Sequence, residues 1–169
     1  MKSKINAVGF DFDGTLIMSE EQKAKEMAKV FKEKFDVNKG IKSADTKLAG
    51  KALSREEKVK ALFRKFLKRK PTKKELKMVK EHFGKHYETS LKTCPMFQCT
   101  NILKELKKQV DFLFLLSLED KKEVKRIADH CAVGQYFDEI LGGPKPKVEN
   151  LKHVLQKHHL NPDEDIYVG

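Results

Sequence analysis

A chain of 169 residues is long enough for one well-filled core, or for a core carrying an inserted subdomain. A formal net charge of +11 favours anionic partners: phosphorylated metabolites, nucleic acid or acidic surfaces. The three cysteines (Cys94, Cys99 and Cys131) form no CxxC and are odd in number, which argues against a disulfide framework and points to a reducing, cytoplasmic setting.

The first element is Ile5 to Leu16. Val8, Phe10 and Phe12 read as a buried strand of a parallel sheet, covered on both faces. It runs into Asp11 and Asp13, two positions apart and so on one side of an extended backbone, and then into Gly14, which allows a sharp turn. Open α/β sheets bind their ligands at such strand tips. The apolar run is too short and too soon acidic for a signal peptide, and the longest one, Phe112 to Leu116, is too short to span a bilayer.

Glu21 to Phe35 then carries Ala24, Met27, Ala28, Phe31 and Phe35 at helical spacing. Asn38 to Lys51, rich in Gly, Ser and Lys, reads as a loop. Ser54-Arg55-Glu56-Glu57 has capping-box form and opens a helix on Val59, Leu62, Phe63, Phe66 and Leu67, which Pro71 breaks. Thr72-Lys73-Lys74-Glu75 opens another, with Leu76, Val79, Phe83 and Tyr87 inward. Residues 18–92 are therefore an all-helical insertion between two α/β stretches, 1–17 and 93–169.

Pro95 marks the return. Asn101 to Lys108 is a short amphipathic helix, and Val110 to Leu116 a second buried strand ending in Ser117. Asp120 to Cys131 is a helix that Gly134 is placed to terminate. Phe137 to Leu141 is a third strand, Val148 to His159 a helix stopped by Asn161-Pro162, and Ile166 to Val168 a fourth strand. Alternating strands and helices predict parallel βαβ units in an α/β, three-layer Rossmann-like core.

Asp11-Phe12-Asp13-Gly14-Thr15 resembles the first motif of the haloacid dehalogenase-like superfamily, most of whose members are phosphatases. Leu115-Leu116-Ser117 is similar to its second motif, whose hydroxyl binds the transferred phosphoryl group. Gly142-Gly143-Pro144-Lys145-Pro146-Lys147 offers its third-motif lysine. Lys147, at a helix start, matches better, while Lys145, before a proline, resembles a variant. The insertion is similar to the helical cap of the phosphoglycolate phosphatase and β-phosphoglucomutase-like class. Asp165 to Gly169 is like the strand before the fourth motif, whose acids complete a Mg²⁺ site. The chain ends one residue short of the first, and a native chain that continues is the expectation.

The resemblance implies Asp11 as nucleophile, Asp13 as acid and base, and Mg²⁺ held by the Asp11 carboxylate and the Asp13 carbonyl. It places the amides of Phe12 to Gly14, with Thr15 beside them, on the phosphoryl oxygens. Leu48-Ala49-Gly50-Lys51 with Arg55 resembles a substrate-contacting cap loop, so Lys51 is a candidate. Asp13 separates phosphoryl transfer from dehalogenation, because halide needs no proton to leave. The implied activity is hydrolysis of a small phosphomonoester, with a phosphomutase or a catalytically impaired binding protein as alternatives.

Lys58 to Lys92 is dense in Lys and Arg. Nucleic-acid binding is weighed there against a solvated surface, and the interleaved apolar stripe favours the solvated surface. His82 and His86 lie four apart, but no third metal ligand accompanies them. His153, His158 and His159 read as exposed.

Overall fold

The computed structural model describes residues 5–49, 51, 53–91, 96–143 and 145–169. They divide into two compact units, Met1–Met18 with Pro95–Gly169, and Ser19–Cys94. Pro95, Cys94, Gly50 and Pro144 lie outside the described residues, as do the side chains of His86 and Cys99. No helix among the described residues is long and apolar enough to cross a membrane.

In the first unit, strands β1 (Ala7–Phe10), β2 (Phe112–Asp120), β3 (Glu139–Gly143) and β4 (Ile166–Val168) form one parallel sheet in the order β3-β2-β1-β4. β1 pairs on both sides and all four of its residues are buried, which is why it reads as unbroken apolar sequence. The chain builds outward from β1 through β2 to β3, then returns to place β4 on the other side. That reversal puts a topological switch point at the tip of β1.

Helices α5 (Ile102–Gln109), α6 (Lys121–His130) and α7 (Lys147–Lys157) make the crossovers that parallel strands require. Val154 and Leu151 of α7 pack on Phe114, Leu116 and Leu141. Ile102 and Leu106 of α5 face Val8 and Phe10 on the other side of the sheet. Three layers result. Gly9 lies under the Phe114 ring, where a Cβ would stand 2.3 Å from the nearest ring carbon. The backbone gives way to the aromatic there.

Several boundaries differ from the sequence reading, each for a local reason. β2 does not stop before Ser117 but continues to Asp120, with its register against β3 broken between Leu116 and Asp120. Asp120 then caps α6, its carboxylate accepting the Lys122 N–H at 3.0 Å. α6 ends before Gly134, because Ala132 takes the left-handed conformation (φ 56°) and Gly134 instead opens a short 3₁₀ turn. β3 starts two residues later than expected, since Asp138 is drawn to β2, where it accepts the Leu113 N–H at 2.8 Å. His158 is not free on the surface: it pairs with Glu139 at 2.6 Å and its ring lies 4.0 Å from that of Phe112. Burial alone would raise the Glu139 carboxyl, but hydrogen bonds from Lys157 and His158 outweigh it and hold the group below its ordinary value.

The second unit is all helical among its described residues: α1 (Glu20–Phe35), α2 (Ile41–Ala49), α3 (Arg55–Leu62) and α4 (Lys73–Leu91). α2 replaces the loop expected there. Ile41 and Ala44 bury on one face, and that stripe outweighs the neighbouring Gly and Ser. Both capping boxes form, Ser54 with Glu57 and Thr72 with Glu75. α3 gives way at Phe63 to a π-helical turn that ends on Lys68 in the left-handed conformation, before Pro71 is reached. Phe31, Phe35 and Phe63 form an aromatic cluster with centroids 4.8–5.4 Å apart, and Val79, Phe83 and Tyr87 line the inner face of α4.

Gly9→Ala should destabilise the first unit by about 1–3 kcal/mol, read from denaturant unfolding, because the Phe114 ring must leave its place. A second prediction concerns Asp45 of α2, which is 5% exposed with Oδ1 unbonded among the described residues. Burial raises its carboxyl above the ordinary value against the fields of Lys58, Lys23 and Arg55. Its ionisation therefore costs stability as pH rises through the unfolded value near 4 toward the folded one. Asp45→Asn should raise Tm at pH 7, and the gain should shrink toward zero below about pH 4.

Candidate active site

The centre of the site is Asp11, one residue past the end of β1. Its own N–H donates to the Val168 carbonyl at 2.8 Å, so β4 clamps its backbone. Oδ1 accepts the Phe12 N–H at 2.8 Å and Oδ2 meets Lys147 Nζ at 2.6 Å. The carboxylate is thus held at both oxygens, one by its own backbone and one by the first residue of α7. Side-chain exposure of 19% for Asp11 and 28% for Lys147 leaves both at the mouth of the strand tip, open to a ligand.

Beyond Asp11 the chain turns back on itself. Gly14 adopts φ 78° and its N–H donates to the Ile17 carbonyl at 2.9 Å. Leu16 and Ile17 N–H groups return to the Phe12 carbonyl at 2.9 and 3.1 Å. Phe12, Leu16 and Ile17 are fully buried and anchor the turn, so Asp13, Gly14 and Thr15 form its outer side. Ile17 also pairs with Met96, and Phe97 N–H donates to the Leu16 carbonyl at 3.1 Å, which closes the loop against the returning chain.

Two amides expected to bind phosphate are engaged: that of Phe12 by Asp11 and that of Gly14 by Ile17. Thr15 N–H donates to the Phe12 carbonyl at 3.4 Å. Ser117 is 2% exposed inside β2, where its hydroxyl oxygen accepts the Glu119 N–H at 3.1 Å. Of the two candidate lysines, Lys147 pairs with Asp11, whereas Lys145 is exposed before the Pro146 cap of α7. Pro146 supplies the fixed φ (−56°) that starts the helix, and Lys147 follows directly. Lys51 belongs to the helical unit, exposed in the turn after α2 with its N–H on the Leu48 carbonyl.

The sequence reading missed Tyr167 and the role of Gly169. Tyr167 pairs in register with Gly9, and burial together with the Asp11 charge raises its phenol above the ordinary value. A Cβ on Gly169 would stand 2.7 Å from Asp11 Cβ, and 3.6 Å from the Tyr167 hydroxyl. Two glycines, Gly9 and Gly169, thus flank the nucleophile candidate with bare backbone on the face it occupies. Alternation along β1 and β4 carries that signal: Gly9, Asp11, Tyr167 and Gly169 fall on one side of the sheet.

The sequence matches the family model described as haloacid dehalogenase-like hydrolase over residues 8–169. No curated protein matches it. Among solved structures, the chain is similar to a predicted phosphoglycolate phosphatase from Haemophilus somnus 129pt, with TM-score 0.79 and 23% identity, covering 100% of this chain and 78% of that one. A haloacid dehalogenase-like family protein from Streptococcus pneumoniae gives TM-score 0.78 and 21% identity, over 100% and 77% of the two chains. A mutant of CbbY from Rhodobacter sphaeroides, in complex with xylulose-(1,5)bisphosphate, gives TM-score 0.79 and 16% identity, over 96% and 76%. At these identities the structures speak for the fold. The family match carries the assignment, since it begins inside β1 and runs through Asp11 and Lys147 to the last residue: the chain belongs to the haloacid dehalogenase-like hydrolase family.

Proposed function

We propose that the chain is a Mg²⁺-dependent phosphatase that hydrolyses a small phosphomonoester through an aspartyl-phosphate on Asp11. The observation that carries this reading is the 2.6 Å pair between Lys147 and Asp11 at the β1 tip. A phosphate monoester is a dianion that a bare carboxylate repels, and a lysine already seated on that carboxylate offsets the repulsion. Solved relatives described as phosphatases support the same reading.

The residues present fit Mg²⁺. The donors are hard oxygens, and Gly169 keeps the space beside Asp11 clear, where a Cβ would close to 2.7 Å of Asp11 Cβ. The Asp11 carboxylate and the Asp13 carbonyl would hold the ion, with water and substrate oxygens completing its shell. When bound, it adds positive charge where the phosphoryl oxygens sit.

Asp11 then attacks phosphorus, forming an acyl–phosphate bond as the ester P–O bond breaks. Asp13, on the outer side of the turn, gives its proton to the leaving alkoxide oxygen. In the second half Asp13, now a carboxylate, takes a proton from water as the water oxygen attacks phosphorus. The Asp11–phosphorus bond breaks and inorganic phosphate leaves, restoring the free carboxylate. Lys147 stays beside the reacting oxygens throughout. Ser117 and Thr15 are the hydroxyls proposed to receive phosphoryl oxygens, and Lys51 the residue of the helical unit proposed to contact substrate.

Turnover of p-nitrophenyl phosphate with Mg²⁺ tests this. Asp11→Asn should lower phosphate release on the order of 10³-fold or more, and turnover that persists would remove the nucleophile assignment. Lys147→Ala should cost about 10²–10³-fold in kcat. Lys145→Ala should stay within about fivefold of the parent, as expected for an exposed charge. Equal losses at the two lysines would contradict the pairing seen with Asp11.

A further inference from the structure

Charge is unevenly placed along this chain. Between Phe63 and Lys85 stand ten lysines and arginines against two glutamates, a formal +8 of the chain's +11. The structure puts most of them on the outside of one helical hairpin. Lys68, Arg69 and Lys70 form the exposed loop after the π-helical turn, and Lys73, Lys74, Lys77 and Lys80 continue along the exposed side of α4. Lys73, Lys77 and Lys80 are spaced to share one exposed helix face, beside the stripe of the buried Val79 and Phe83.

The two acids do not neutralise this surface. Glu75 is bound in a fork by Arg69, at 2.6 and 2.9 Å, and accepts the Thr72 N–H at 2.7 Å. Glu81 stands 4.0 Å from Lys77. Among the described residues no ion pair joins Lys68, Lys70, Lys73, Lys74 or Lys80 to an acid. The first helix of the same unit is organised differently, with Lys25 on Glu21 and Lys29 on Glu26. A solvated helix face therefore has local precedent for balanced charge, and the α4 hairpin departs from it.

We propose that this hairpin is a docking surface for the sugar-phosphate backbone of nucleic acid. Unspent cations in a row along a loop and a helix face complement a chain of phosphates, which they engage by releasing condensed counterions. An anionic membrane would want an apolar wedge beside the charge. None is present: the exposed large hydrophobic residues all lie outside residues 63–85. The surface is built from the helical unit alone and is independent of the chemistry at Asp11.

Fluorescence anisotropy of a labelled mixed-sequence 20-base-pair DNA duplex and of a single-stranded RNA 20-mer, titrated with the full chain, tests the proposal. A site engaging about five phosphates on the duplex should lose on the order of 500-fold in affinity between 50 and 200 mM salt. The fourfold variant K68E/K70E/K73E/K74E should bind at least about tenfold more weakly and lower the salt slope by about four, with p-nitrophenyl phosphate turnover and circular dichroism unchanged. The control K32E/K34E/K39E/K47E makes the same change in net charge at exposed positions elsewhere in the unit and should retain most of the binding. Equal losses in the two variants would reduce the effect to net charge and overturn the proposal. So would a salt-insensitive isotherm, no binding of either nucleic acid at 50 mM salt, or binding to phosphatidylserine vesicles in place of both nucleic acids.

Discussion

A carboxylate at the end of a buried parallel strand has lost most of its water and must be held by something else. Here Asp11 is held by the amide of Phe12 on one oxygen and the ammonium of Lys147 on the other, while β4 grips its backbone through Val168. Each of those partners arrives from a different part of the fold. The turn follows β1, Lys147 begins the helix after β3, and Val168 ends the strand on the far side of β1. The parallel order β3-β2-β1-β4 is what lets three distant segments meet at one point. A sheet with β1 at its edge, lacking β4, would leave Asp11 with two of these supports instead of three.

Packing near the site is arranged around absence of side chains as much as presence. Gly9 yields its place to the Phe114 ring, and Gly169 yields its place beside Asp11. The first exchange fixes the strand against α7, whose Val154 and Leu151 complete the layer under Phe114 and Leu116. The second lets the Gly169 backbone come close beside Asp11, where a Cβ would stand 2.7 Å from the Asp11 Cβ. Tyr167 lies between them, with its phenol proton held the more firmly because burial and the Asp11 charge both oppose ionisation.

Much of this was legible in the sequence where periodicity and motif agreed. The apolar run before Asp11, the two capping boxes and the stripe from Val79 to Tyr87 each encode one structure. Between Asn38 and Lys51 the signals conflict: Gly40 and Ser43 speak for a loop, Ile41 and Ala44 for a helix, and tertiary burial settled the matter for the helix. Lys147 is preferred over Lys145 in the sequence because it stands at a helix start, and α7 does begin at Lys147, directly after Pro146. The strand around Ser117 reads as finished at Leu116 because apolar character stops there. Pairing with β3 resumes at Asp120, beyond the irregular stretch, through backbone groups that carry no side-chain signature. His158 was hidden for a similar reason: its partners Glu139 and Phe112 lie far away in sequence and no local pattern joins them.

The Arg69–Glu75 fork has a consequence for how the molecule comes apart in acid. Its carboxylate titrates only at about 2, with the Arg69 hydrogen bonds the largest cause and the Thr72 amide assisting. The clamp that closes the loop between the π-helical turn and α4 therefore survives through the range in which ordinary surface carboxylates become neutral.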